Sequence, residues 1–240
     1  MYNILTCLFL LLFGIGGGIL VSKYSGYCEY KYELNEKNPD SLKRTIIITV
    51  ITTLLMLVDF LVFLDYESPS LNWIVACFSL IMVYMIVIDF ETMYILDRTH
   101  IAIALLAVLM FILKLTVAED DPLTSWSEGL IGLLVGGGLF FIIALIANPI
   151  AQRKYGDDVQ ALGYGDVKLM AACGLFVGWK LILVSILIAS FVGVIVQLII
   201  KGIMKKEDVN FAFGPYLAIG ILISFYFGNQ LIDMYLNIIG

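Results

Sequence analysis

Charged side chains are scarce in this 240-residue chain. Asp, Glu, Lys and Arg together make up 14% of it, against about 25% in ordinary soluble domains. Too little polar surface remains to cover a soluble core of this composition, which excludes a soluble enzyme. The net charge is −6 and the basic residues form no long run, which argues against a nucleic-acid partner. Only four cysteines are present, and no Cys-x-x-Cys pair. That excludes a disulfide scaffold and a four-thiolate zinc site. Histidine occurs once, as His100. The sequence shows no internal repeat and no low-complexity tract. Its start, MYNILTCLFLL, lacks a basic n-region and a small-residue cleavage site. It reads as a first span rather than a removed signal peptide.

Apolar residues fill the space instead. They make up 61% of the chain, with a mean hydropathy of +1.00. A helix needs about 20 apolar residues to cross a bilayer core. Eight runs approach that length: 3–22, 45–64, 72–89, 101–117, 127–148, 161–179, 181–200 and 213–237. The expectation is an all-α, polytopic membrane bundle of about eight helices. Twelve of the fourteen basic residues fall on alternate connections, 23–44, 90–100, 149–160 and 201–212, with Lys168 beside the third. Connections 65–71 and 118–126 carry none. By the positive-inside rule both termini face outside. Trp73, Trp126 and Trp179 all fall at the outer interface on this reading, where amphipathic rings are favoured.

A carboxylate in a span is costly and is a functional candidate by default. Asp89 ends the third run and Asp166 opens the sixth, which places both on the inner face. Two acids of this kind can activate a water and protonate a substrate carbonyl between them. Gly163 and Gly165 bracket the second acid and would permit close approach of a backbone or unusual dihedrals. Plainer readings stand beside this one. Asp166 fits an N-cap, and Asp89 fits the interfacial end of a span. Asp59 lies toward the opposite face and reads as an outer-end polar residue or an interhelical hydrogen bond. Gly132 and Gly136 form a GxxxG, and Gly14, Gly16, Gly17 and Gly18 cluster in the first run. Both patterns read as close helix packing.

The stretches IDFETMYILD (88–97), ALGYGDVKLMAACGLFVG (161–178) and FGPYLAIG (213–220) resemble, in order and spacing, the GxGD membrane aspartyl proteases. Among these they are similar to the type IV prepilin peptidases. The resemblance covers about residues 75–235. It implies that Asp89 and Asp166 are the catalytic pair and that Gly163 and Gly165 belong to the GxGD loop. It makes Glu91, Asp97 and Lys168 further motif positions. Lys168 either keeps one Asp ionised or snorkels to the interface. Phe213, Gly214 and Pro215 shape a helix start, where Pro suits the first turn. The implied substrates are prepilin or pseudopilin-like precursors with a short basic leader, cut at the cytoplasmic side of the inner membrane, in contact with lipid.

The sequence departs from that family's pattern in two places. Residues 1–65 correspond to a reduced version of the methyltransferase region, and 66–240 to the peptidase domain. Loop 23–44 holds a single cysteine, Cys28, so zinc is not expected there. S-adenosylmethionine enters only if methyl transfer is retained, and the expectation is against it. The same loop is the candidate for recognising a basic leader. Leu96 stands where the family usually has Pro. His100 reads as an interface residue or a minor substrate contact. Three rival readings are a preflagellin or other GxGD peptidase, a proton- or cation-coupled transporter, and an inactive scaffold. The transporter reading requires inverted repeats or paired broken helices, and the sequence shows neither.

Overall fold

The computed structural model describes residues 2–31, 41–62, 69–115, 124–156, 159–204 and 213–239. The middle of loop 23–44 and most of loops 65–71, 118–126 and 201–212 lie outside the described residues. Among those that are described, eight α-helices form and no strand. They are α1 Tyr2–Lys31, α2 Leu42–Val62, α3 Pro69–Thr92, α4 Asp97–Lys114, α5 Trp126–Tyr155, α6 Tyr164–Val177, α7 Trp179–Met204 and α8 Gly214–Ile239. Each coincides with one of the eight apolar runs. Six of them (all but α4 and α6) are long and apolar enough to cross a membrane. The chain is a multi-pass membrane protein, and its surface fits that. Ile46, Ile47, Val50, Leu54 and Leu61 stand exposed along α2, and Leu187, Phe191, Val194 and Leu198 along α7. In water such stripes would drive aggregation; in lipid they are solvated.

Helix ends differ from the apolar runs at several points. α5 continues through Pro149 to Tyr155 rather than stopping at 148. Its last turn carries Arg153 and Lys154, which the negative end of the helix dipole favours, and Gly156 closes it at φ 112°. α1 likewise runs to Lys31. Apolarity ends at the bilayer edge, whereas backbone hydrogen bonding does not. α6 is short at 14 residues, about 20 Å of helix.

The chain divides into two compact units. The first holds Met1–Tyr94 and Val108–Asp121; the second holds Ile95–Ala107 and Pro122–Gly240. In the first unit, α1, α2 and α3 pack on each other. Leu10, Met56 and Ala76 form one buried cluster, and Val21, Ile48 and Val83 another. The glycines of α1 allow this approach. A Cβ on Gly14 would lie 2.9 Å from Met56 Cγ and from the Thr53 Cα, and one on Gly17 would lie 2.8 Å from Leu80 Cδ1. Thr52 Oγ1 donates to the Gly14 carbonyl at 2.9 Å across the same seam. Gly16 faces nothing within 4 Å. Asp59 is buried in α2, where its Oδ1 accepts from Ser79 Oγ of α3 at 3.0 Å. This is the interhelical hydrogen bond read from the sequence.

In the second unit α5 packs along α6, and α7 along α8. Gly132 of α5 and Gly174 of α6 lie backbone to backbone, and Gly136 lies against the Met170 carbonyl. The GxxxG therefore serves close packing. Ser224 Oγ of α8 donates to the Leu181 carbonyl of α7 at 2.5 Å. Trp126 and Trp179 each begin a helix of this unit, while Trp73 lies in the second turn of α3 in the first. Glu128 and Lys180 pair at 3.3 Å at the tryptophan end of the second unit. Asp166 is at the opposite end of α6.

Candidate active site

Asp89 belongs to the first unit and Asp166 to the second. Asp89 is buried, 4% exposed, in the last full turn of α3. The helix ends in a left-handed cap. Met93 takes φ 55°, and its N–H donates to the Asp89 carbonyl at 2.9 Å. Glycine is the usual residue at such a cap, and a side chain there costs about 1–2 kcal/mol. Thr92 supports the turn: its Oγ1 donates to the Ile88 carbonyl at 2.8 Å and accepts from Tyr94 N–H at 3.2 Å. Among the described residues, the buried Oδ2 of Asp89 has no hydrogen-bond partner.

Two residues on, Glu91 is gripped by Arg44 from the start of α2. Arg44 Nε donates to Glu91 Oε1 at 2.8 Å and Nη2 to Oε2 at 2.6 Å. The same guanidinium reaches α1: Nη1 donates to the Ser22 carbonyl at 2.7 Å and Nη2 to Ser25 Oγ at 2.8 Å. One planar fork thus ties three helices together beside the first acid. A lysine could not match this geometry. The sequence marked Glu91 but read Arg44 only as loop charge.

Asp166 is also buried, 8% exposed, in the first turn of α6. The N-cap reading of Asp166 is not met. Gly163 is the cap, without a side-chain bond, and Asp166 stands three residues inside, its N–H donating to the Gly163 carbonyl at 3.1 Å. A carboxylate at this position faces the positive end of the helix dipole. Unusual dihedrals, one of the two uses open to the GxGD glycines, are not taken up. Gly163 is extended at φ −69°, ψ 139°, and Gly165 is not among the positive-φ glycines. Gly165 lies close to a side chain rather than to another backbone: a Cβ there would be 3.3 Å from Ile95 Cβ. The GxGD turn is thereby held against Ile95 of the same unit.

Lys168 settles on a partner that the sequence left open. Its Nζ donates to Asp97 Oδ1 at 2.6 Å. The hydrogen bond and charge of Lys168 hold the Asp97 carboxyl below its ordinary value of 3.8. Both side chains are more than half exposed, so the pair is worth well under about 1 kcal/mol and acts mainly to set register between α4 and α6. His100, buried in the first turn of α4, has Nδ1 3.9 Å from Asp97 Oδ1. Leu96 precedes α4 and uses its carbonyl, which accepts from Thr99 N–H at 3.0 Å and Thr99 Oγ1 at 2.7 Å. Proline offers the same acceptor, so the departure at Leu96 leaves this turn intact. Phe213, Gly214 and Pro215 do start a helix. The Phe213 carbonyl accepts from Tyr216 and Leu217 N–H, each at 3.1 Å, and Pro215 occupies the first turn of α8. Cys7, Cys77 and Cys173 are free thiols, while the side chain of Cys28 lies outside the described residues.

Each unit carries one buried motif carboxyl, Asp89 in the first and Asp166 in the second, each at a helix end. Residues 74–198, just over half of the chain, match the profile of the type IV leader peptidase family. The chain belongs to that family. Both Asp89 and Asp166 fall inside the matched stretch, whereas Phe213–Pro215 fall beyond it. Among curated proteins the chain is similar to the prepilin leader peptidase/N-methyltransferase of Pectobacterium carotovorum subsp. carotovorum, 35% identical over 133 residues, 48% of each chain. It is similar to the protein of that name from Xanthomonas campestris pv. campestris, 43% identical over 84 residues, 34% of this chain and 29% of the other. The Escherichia coli (strain K12) protein of that name is 28% identical over 138 residues, 58% of this chain and 56% of the other. The chain thus spans about half or less of the length of these curated relatives. No solved structure matches it.

Proposed function

We propose that the protein is an integral-membrane aspartyl endopeptidase that removes the leader from prepilin or pseudopilin-like precursors. One observation carries the reading. The two buried motif acids, Asp89 and Asp166, both lie within the stretch that matches the leader peptidase family. One carboxyl takes a proton from a water and later gives it to the leaving amine, while the other protonates the scissile carbonyl oxygen and takes that proton back as the carbonyl re-forms. This hydrolysis needs neither zinc nor S-adenosylmethionine, and the reading includes no methyl transfer. The lysine and arginine bias of the connections supports an inner-membrane orientation with both termini outside and both acids at the cytoplasmic face. Residues 66–240 would then form the peptidase domain, and 1–65 a reduced counterpart of the methyltransferase region.

The test is leader cleavage in membranes carrying the wild type, Asp89→Asn, Asp166→Asn or Asp59→Asn, with a pilin precursor as substrate. Each change removes ionisation and keeps shape. Loss of an essential acid or base lowers the rate by about 100- to 10,000-fold. The expected result is that loss for the first two variants at equal protein level, with Asp59→Asn still active. Cleavage by both single variants at wild-type rate would show the aspartyl mechanism to be wrong.

A further inference from the structure

Asn148 is a polar residue at the end of an apolar stretch, LFFIIALIANPI, in α5. It is buried, 5% exposed. Its carboxamide faces the backbone of Leu162, in the connection that leads to α6. Nδ2 donates to the Leu162 carbonyl at 3.1 Å, and the Leu162 N–H donates to Oδ1 at 2.9 Å. The side chain presents the donor and acceptor that a neighbouring peptide group would present.

The place of this contact is what gives it a consequence. Leu162 is followed by Gly163, the cap of α6, and the Gly163 carbonyl receives the Asp166 N–H at 3.1 Å. Gly163 brings no side-chain capping bond of its own. A Ser, Thr, Asp or Asn cap would hold the first turn locally; here the hold comes from a different helix. A short hydrogen-bonded path therefore runs from α5 through Leu162 and Gly163 to the backbone of Asp166. Leucine or alanine at 148 would suit the apolar helix better, because a buried carboxamide is costly unless its groups are paired. Both of its polar atoms are used on this one residue.

We propose that Asn148 is a positioning residue for Asp166. It pins the backbone ahead of the GYGD turn and so sets where the Asp166 carboxyl stands in the hydrolysis proposed above, on which this inference rests. Asn148→Leu removes both bonds at similar volume. Asn148→Asp keeps the acceptor for the Leu162 N–H and loses the donor. The full chain in detergent is assayed on a purified pilin precursor for kcat and KM. Amide hydrogen exchange is followed in parallel by mass spectrometry.

A misplacement of about 1 Å can cost about 100-fold in rate. Asn148→Leu is expected to lower kcat by about that factor with KM within about twofold, and Asn148→Asp to lose less. Amides of 159–166 exchange faster in the Leu variant, while those of α7 and α8 keep wild-type rates. An unaltered kcat overturns the proposal, as does faster exchange across α7 and α8, which would mark general loosening. If the wild type cleaves no precursor, the peptidase reading falls instead, and the exchange comparison alone still decides whether Asn148 holds the turn.

Discussion

Replacing Gly132 by alanine probes the seam on which Asp166 is carried. A Cβ on Gly132 would fall well inside van der Waals contact with the Gly174 carbonyl, and one on Gly174 would meet the Gly132 carbonyl in the same way. The obstacle is main chain, so no rotamer change relieves it. α5 and α6 must part by about 1 Å, in an interface packed as densely as an organic crystal. Overpacking of a tight core costs about 1–3 kcal/mol, and a backbone obstacle belongs at the upper end. Alanine also recovers about 0.5–1 kcal/mol of helix propensity, leaving a net loss of about 2 kcal/mol. Gly138, two turns along α5, has nothing within 4 Å of its notional Cβ. Gly138→Ala therefore gains the propensity without the clash.

For chains of 150–250 residues each kcal/mol moves Tm by about 2–4 °C. Gly132→Ala should melt about 4–8 °C below the wild type and Gly138→Ala about 1–4 °C above it. Thermal unfolding in detergent, followed by tryptophan fluorescence, reads the difference directly. A Gly132→Ala protein that melts with or above Gly138→Ala would refute the close seam, and with it the placing of α6.

Three further perturbations follow from the ties around the motif. Arg44→Lys keeps the charge but loses the fork onto Glu91 and the bonds to Ser22 and Ser25; it should cost about 1–3 kcal/mol, and an unchanged Tm would count against the tie. At the left-handed Met93, Met93→Gly should melt at or above the wild type and Met93→Val about 1–2 kcal/mol lower, β-branching being poorly tolerated there; equal Tm values would contradict that cap. Asp97 is depressed by Lys168, so the pair's small contribution is present above pH 3.8 and lost as the pH falls through the folded value. The Tm gap between wild type and Lys168→Met should therefore close on acidification below 3.8, and a gap that widens there would exclude the pairing.

The helices were legible because each lies in an apolar run, six of them long enough to cross a membrane, and the two acids because each stands at the end of such a run. What was illegible has a common physical cause. Apolar runs report where lipid begins and ends, so the charged last turn of α5 past Pro149 left no trace in them. Residue type made Asp166 the cap, but the cap is fixed by where the backbone turns, and it turns at Gly163. Lys168 and Asp97 were both visible as motif residues, yet their pairing spans 71 positions and no local pattern encodes it.

The same holds, more sharply, for Arg44 and Asn148. Neither lies in the three motif stretches, and their partners are a carboxylate 47 positions away and a peptide group 14 away. A signal was nevertheless present. In a chain so short of polar residues, a buried polar side chain near a span end needs a partner, because lipid offers none. Asn148 and Arg44 each answer to an acid-bearing turn: one holds the residue before the GYGD cap, and the other holds Glu91, two residues past Asp89. The polar groups spent at these helix ends thus serve the two segments that a hydrolytic site would have to keep in place, while the remaining helix surface is left to lipid.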